Sequence, residues 1–476
     1  MVSKKKLYIF GEEKPNSSGV YNSISYVLEK LNVPHESSLE RFSADLCKGS
    51  SRKYEINGFC SYEFASIEYR MVSGNTSMVD LMFYLQEEVP TNQSKPVYFV
   101  EITKNAWNQS GNMSDQRAGK SILPLAIYGS VPFLYLVNMG IGARAQPNRS
   151  HARALKRMNL IGADVAISFD GEEGVYPVNV TTVSIDSVED MVEEDAVGRK
   201  GPRRVYFDTV HVPNNPRFRY FHDGLVFDCR LDKAGDPEQT SDPNVGFVMS
   251  SVFAAINLGW DGIIIIKNHG KLPKYFYGKN KLMHCLRIAA KSAHIYFENS
   301  EYGRPYLDKV EHAPFTGTYF RDEQRGEKNG TIALESFLSK RGWKTIFDNH
   351  AGCEKSDLVL STGDRIQIPK KVDNMPLGLP DLIMINERQK RIIVIEGEMS
   401  ENLHKQGKGY SQVLEEKFVR TVDWIRDHFY PQYKFEVHLA TYGQHHGEDI
   451  LYHLNSDGTH TLLESATPVY SYQDAA

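Results

Sequence analysis

Gly378-Leu379-Pro380-Asp381-Leu382-Ile383-Met384-Ile385 and, shortly after it, Arg391-Ile392-Ile393-Val394-Ile395-Glu396-Gly397-Glu398 read as two apolar strands of one hairpin. A Pro-Asp pair opens the first strand, and two carboxylates one residue apart close the second. Side chains alternate along a strand, so Glu396 and Glu398 share a face. Asp381, near the start of the neighbouring strand, can meet them. Anions gathered this closely repel one another unless something offsets their charge. A divalent cation is the usual partner, and hard oxygen ligands favour Mg²⁺ or Mn²⁺.

Working outward, Thr331 to Lys340 is predicted as a helix carrying Glu335, and Trp343 to Phe347 as a strand after the turn at Arg341-Gly342. After the hairpin, Gly409 to His428 is predicted as one long amphipathic helix and Phe435 to Thr441 as a strand. The order is helix, three strands, helix, strand. On these residues the C-terminal third resembles the PD-(D/E)XK nuclease superfamily, the fold of most type II restriction endonucleases. The resemblance implies an α/β (α+β) fold, a mixed central sheet flanked by helices. It implies Mg²⁺-dependent hydrolysis of phosphodiester bonds in double-stranded DNA, leaving 5′-phosphates, with Mn²⁺ as a substitute ion. Asp381 and Glu396 would be metal ligands. Glu398 stands where most members carry a lysine, and would act as base or further ligand. Glu335 resembles the helix glutamate that meets the metal through water. Lys405 and Lys408, with His404, would be phosphate contacts or part of a solvated loop.

The same pattern recurs earlier. Asp80 lies in Ser77-Met78-Val79-Asp80-Leu81-Met82, and Glu101 in Pro96-Val97-Tyr98-Phe99-Val100-Glu101-Ile102-Thr103-Lys104. Asp80 and Glu101 can be metal-binding carboxylates on adjacent strands. The lysine comes one residue late: either Lys104 returns through a strand-end bulge or Thr103 takes its place. Glu63 or Glu68 is expected on a preceding helix. The polar stretch from Asn105 to Arg117 resembles the segment of EcoRI-like restriction enzymes that reads bases in the major groove. Asn108, Gln109, Asn112, Ser114, Gln116 and Arg117 would do this here, since Asn and Gln can bridge adenine and Arg can bridge guanine. Arg144, Arg149, Arg153, Lys156 and Arg157 follow on a basic helix as candidate phosphate contacts.

Length sets the frame: 476 residues suit two or three domains. Residues 1–200 read as an N-terminal core with recognition elements, 201–325 as a middle extension and 326–476 as the C-terminal nuclease core. A helix is expected from Ser17 to Leu31 and from Ser114 to Tyr128, and strands at Val131–Val137 and Ala163–Ser168. The acidic run Glu189 to Asp195 and the basic run Arg199 to Arg204 read as a solvated linker, with the basic half as a possible phosphate contact. In the middle region Phe247 to Leu258 and Lys281 to Phe297 are expected as helices, with Gly262 to Lys267 a strand between them.

Five scattered cysteines without a paired motif argue against a disulfide framework and a zinc site. No apolar run reaches membrane length and no secretory leader opens the chain, so no membrane association and a cytoplasmic location are expected. Net charge of −5 gives no global sign of nucleic-acid binding, so basic residues would have to gather on one surface. The lead reading is a type II restriction endonuclease. With two unlike cores it would suit an asymmetric, type IIS-like site, one core per strand. Its partners would be DNA and, genetically, a cognate methyltransferase; a monomer or a homodimer would serve. Two other readings stand beside it: a defence or repair nuclease that recognises DNA structure or a nucleotide signal, and a non-catalytic DNA-binding protein on a decayed nuclease fold. No GxSxG elbow supports a serine hydrolase.

Overall fold

A computed structural model describes residues 5–472 apart from a set of short stretches, chief among them 38–42, 47–52, 105–110, 140–146, 198–202, 232–242, 270–280, 322–334, 350–356, 398–407 and 463–469. The protein is a mixed α/β chain with several sheets flanked by helices. It divides into two compact units, residues 1–43, 56–68 and 73–321 in the first and 44–55, 69–72 and 322–476 in the second. Among the described residues no helix is long and apolar enough to cross a membrane.

The main sheet of the first unit contains β1 (Lys6–Gly11), β2 (Leu81–Gln86), β3 (Tyr98–Lys104), β4 (Phe133–Met139), β5 (Ala163–Phe169) and the short β6 (Tyr176–Pro177), adjacent in that order. β2 is antiparallel to both β1 and β3, whereas β3, β4 and β5 run parallel. Every residue of β4 is buried. Such a continuous apolar run is what a parallel strand covered on both faces requires. α1 (Ser18–Lys30), α2 (Gly111–Tyr128) and α3 (Arg149–Leu160) pack on these strands.

A second sheet of this unit runs β7 (Arg204–His211), β8 (Phe221–Cys229), β9 (Ile263–Asn268), β10 (His294–Glu301) and β11 (Arg304–Lys309). Its three central strands are parallel. α5 (Pro243–Asn257) and α6 (Lys281–Ala289) belong to it and pack on α2. The expected helix Lys281 to Phe297 is therefore corrected: the helix stops at Ala289 and His294 onward is a strand. Ile295, Tyr296 and Phe297 are buried in that strand. A short apolar run has no period that separates helix from strand, and pairing with β9 decides it.

The acidic run is also corrected. It forms α4 (Val188–Ala196), capped by Ser187, whose hydroxyl accepts from the Asp190 amide, and with Glu189 and Asp190 in its first turn. Acidic groups there complement the helix dipole. The buried Asp195 carboxylate then accepts from the Val205 amide at 2.9 Å.

Helices α2, α3 and α5 meet around one buried carboxylate. Asp115 bridges Arg157 at 2.6 Å and Arg203 at 2.7 Å, and the Arg157 guanidinium lies over the Phe247 ring. Arg157 is 2% exposed, so its charge has almost no water. Asp115→Asn keeps the shape and removes the compensating charge. We expect it to destabilise the first unit by about 3–5 kcal/mol, the range for a buried pair broken on one side. Urea unfolding of the variant checks this; a midpoint equal to the parent's would refute it.

The second unit carries β12 (Lys344–Asp348), β13 (Leu382–Asn386), β14 (Arg391–Gly397), β15 (Lys434–His445), β16 (Glu448–Leu454) and β17 (His460–Leu462), with β18 (Tyr470–Tyr472) pairing with β15. β13 is antiparallel to both β12 and β14, and β15 runs parallel to β14. The turn between β13 and β14 is held by Asn386, whose side chain accepts from the Gln389 amide, and by Lys390 in a left-handed conformation (φ 50°). The expected single helix after β14 is two: α7 (Lys408–Val413) and α8 (Glu416–Phe429). The break comes at Glu415, whose backbone is extended (φ −62°, ψ 139°). α8 buries Phe418, Thr421, Val422 and Ile425, the spacing of one helical face.

On β15, Glu436 is buried beside Arg391, Lys434 and His438. Burial alone would raise its pKa; hydrogen bonds from His438, Arg391 and Lys434 outweigh this and lower it to about 2. A depressed carboxylate stabilises the fold above its unfolded pKa and loses that contribution as pH falls through the folded value. Parent and Glu436→Gln should thus differ by about 2–3 kcal/mol at pH 6 and converge as the pH drops from about 4.5 towards 2. Melting curves across that window test the sign: a gap that widens with acid would be the wrong one.

Candidate functional site

Each unit brings one aspartate and one glutamate together in the same way. Asp80 stands directly before β2, and the register that sets Leu81 against Val100 brings it opposite Glu101. Asp381 stands directly before β13, and the register that sets Leu382 against Ile395 brings it opposite Glu396. In the first unit Asp80 Oδ2 accepts from the Ile102 amide at 2.6 Å. In the second, Asp381 Oδ2 accepts from the Gly397 amide at 2.9 Å. In both cases the donor is the residue after the glutamate. The four carboxylates are nearly closed to solvent: Asp80 is 3% exposed, Glu101 0%, Asp381 9% and Glu396 4%.

The helix that follows the glutamate strand completes each arrangement. Arg117 on α2, 16 residues after Glu101, donates to Glu101 Oε1 at 3.2 Å. Gln412 on α7, again 16 residues after Glu396, donates to Glu396 Oε1. In the first unit Lys120 adds a second cation. Its Nζ lies 3.5 Å from Asp80 Oδ1 and 3.6 Å from Glu101 Oε1. Burial would lower the Lys120 pKa, but the Glu101 and Asp80 carboxylates more than offset it and hold the amine above its ordinary value. Lys281 on α6 lies within electrostatic reach of Lys120, Glu101 and Glu12. Complete burial pushes its pKa well down. Tyr135, aligned with Glu101 on β4, is likewise buried, and burial raises its phenol.

Sequence reasoning singled out Asp80, Glu101, Asp381 and Glu396, and the structure pairs them. It missed Lys120, Lys281 and Gln412. Arg117 and Lys120 are three apart on one helix, a spacing that puts both on one face and was available as a signal. Lys281 comes from a distant helix and left none.

The other expected residues are placed differently. Glu335 accepts from Thr345 Oγ1 at 2.6 Å. Thr103 is buried on β3, on the same face as Glu101. Glu68 lies on a strand (Ile67–Met71) rather than the expected helix. Arg117, expected at a base, is engaged by Glu101. Arg149, expected at a phosphate, pairs with Glu194 at 2.6 Å on the surface. Arg153, expected to do the same, is buried and donates to the carbonyls of Glu194, Asp195 and Val197 at the end of α4. Arg203 of the basic run is committed to Asp115. The buried Arg153 has inside partners because an unpaired buried charge is too costly to keep. Gln116 is half-buried on α2. Asn108, Gln109, Glu398, His404 and Lys405 lie outside the described residues, as do the side chains of Lys104, Asn112, Ser114 and Lys408.

Among the described residues no group of three or more His, Cys, Asp or Glu side chains forms a cluster that could hold a metal ion. Two carboxylates per site still suit Mg²⁺, which retains several waters and takes one or two protein carboxylates together with substrate phosphates. Compared with family models, curated proteins and solved structures, the chain matches none.

Proposed function

We propose that this chain is a divalent-cation-dependent endonuclease of double-stranded DNA, carrying one hydrolytic site in each unit. A single observation carries the reading. An aspartate that opens one strand, faces a glutamate on the next and accepts the amide after that glutamate occurs in both units. Both copies sit where an antiparallel pair passes to a parallel strand through a helical connection, one helix in the first unit and two in the second. Surface carboxylates have no reason to repeat a buried arrangement of this detail.

Asp80 with Glu101, and Asp381 with Glu396, would hold Mg²⁺ or Mn²⁺. A bound ion would supply charge stabilisation at the phosphate and a more acidic water. The chain's own groups orient. The amide of Ile102 or Gly397 fixes one aspartate oxygen, so the carboxylate cannot rotate away from its glutamate. Arg117 and Gln412 restrain the glutamates from the helix side. Sites so restrained keep reacting groups in place, a large share of what such catalysis needs.

Two different sites in one chain fit an asymmetric recognition sequence better than a palindrome, so we propose a type II restriction enzyme of the type IIS kind, with a cytoplasmic setting and a methyltransferase as genetic partner. The test is digestion of unmethylated plasmid and bacteriophage DNA with Mg²⁺ or with chelator. Discrete fragments that require the ion are expected. Intact DNA under all conditions would sink the proposal, and an unresolved smear would leave a nuclease without sequence preference.

A further inference from the structure

We propose that the tip between β7 and β8 is a contact that opens duplex DNA, with Tyr220 and Phe221 as the rings that enter a base step. The inference rests on the nuclease reading above and names where its DNA is gripped and bent. The connection reads Pro213-Asn214-Asn215-Pro216-Arg217-Phe218-Arg219-Tyr220-Phe221-His222. This stretch carries three aromatic rings, two arginines and no acid. Tyr220 is 67% exposed and Phe221 72%, the highest values for large hydrophobic side chains among the described residues. A single exposed apolar side chain is ordinary, but two adjacent rings at a turn, in a basic stretch, mark a contact surface.

The tip is held from below. Asn215 donates to the Tyr296 hydroxyl at 2.7 Å and accepts from the Arg217 amide at 3.0 Å. Arg217 is exposed and donates to His294 Nε2 at 3.0 Å. His211, opposite Phe221 in register, packs on it with ring centroids 5.4 Å apart. Groups fixed before binding lose little freedom on contact. The chemistry selects DNA: an arginine can meet phosphate while a neighbouring ring meets a base face, and apolar wedges of this kind kink a duplex. The nearest acid along the chain, Asp223, is already inside β8, opposite Thr209. Gly246, near the start of α5, lies against Asp115 and Gly119 of α2, the helix whose Arg117 meets Glu101. The far end of α5 leads to β9, whose first residue, Ile263, is level with Gly224, close to the tip. Fifteen residues of α-helix span about 22 Å, so the tip stands about six base pairs of duplex from the first site.

The full-length parent, the double variant Tyr220→Ala with Phe221→Ala, Phe221→Trp and Arg217→Ala are compared without divalent ions, so that binding is seen apart from cutting. A labelled 40-base-pair duplex of mixed sequence gives affinity across a salt series. Closed plasmid relaxed by a metal-independent topoisomerase in the presence of the protein gives unwinding. The double variant should bind at least about 10-fold more weakly, the scale of one lost base stack, with the parental salt slope, because rings neutralise no phosphate. Arg217→Ala should reduce that slope by about one. The parent and Phe221→Trp should lower the plasmid's linking number, and the double variant should leave it unchanged. Parental affinity and unwinding in the double variant would overturn the assignment. So would a parent that sediments as a dimer which the double variant splits, since the tip's occupant would then be a second copy of the chain. A parent that unwinds plasmid but never cuts it with Mg²⁺ would keep the tip and remove the nuclease reading.

Discussion

Gly246→Ala should unfold much of the first unit at temperatures where the parent is intact. A Cβ at this position on α5 would stand 1.7 Å from the Asp115 carbonyl oxygen, 2.7 Å from its carbon and 3.0 Å from the Gly119 amide nitrogen. All three are backbone atoms of α2, so no side chain can swing aside. Alanine brings about 1 kcal/mol of helix propensity over glycine. Overpacking costs about 1–3 kcal/mol when side chains absorb it, and more when a helix must move. The second effect wins, and we expect a net loss of at least about 3 kcal/mol. Displacing α2 also strains Asp115 against Arg157 and Arg203, and carries Arg117 and Lys120 away from Glu101. Thermal melting and plasmid cleavage should therefore fail together. A melting temperature at or above the parent's would show that α5 and α2 are not in this contact.

The parts of the site that could be read from sequence are those made by neighbours along the chain. Asp381 and Glu396 bracket a short hairpin whose apolar strands announce themselves, and period-two alternation aims the side chains. Asp80 and Glu101 follow the same rule across a longer turn. What escaped depends on contacts distant in sequence. Lys120 and Lys281 reach the first site from helices whose docking is set by packing, including the close approach at Gly246. Basic residues misled for a related reason: a run of arginines does not reveal that Asp115 or the end of α4 waits inside. The predicted helix Lys281 to Phe297 overruns the start of the strand His294–Glu301 because the strand's partner, β9, lies on the far side of α6 in sequence.

Asp80→Asn and Asp381→Asn should each convert a double-strand cut into a nick, on opposite strands. Asparagine keeps an oxygen that can accept from the Ile102 or Gly397 amide, so the local fold survives. The negative charge opposite Glu101 or Glu396 is lost, and with it half of the ionic ligand pair. Lewis-acid and charge stabilisation at a phosphate is worth several kcal/mol, which corresponds to a rate loss of about 1,000-fold or more at the altered site. The two variants differ in one further respect. In Asp80→Asn the ammonium of Lys120 keeps Glu101 and the more remote Glu12 but loses Asp80, so the first site has one negative charge fewer beside Arg117 and Lys120. Its residual affinity for Mn²⁺ should fall further than that of the second site in Asp381→Asn. Sequencing the nicked strand assigns each unit to its cut, and the double variant should leave supercoiled plasmid intact. If Asp381→Asn abolishes both cuts, the units do not divide the strands between them. If Asp80→Asn cuts both strands at the parental rate, the first unit holds DNA without hydrolysing it, and the second unit alone must visit each strand.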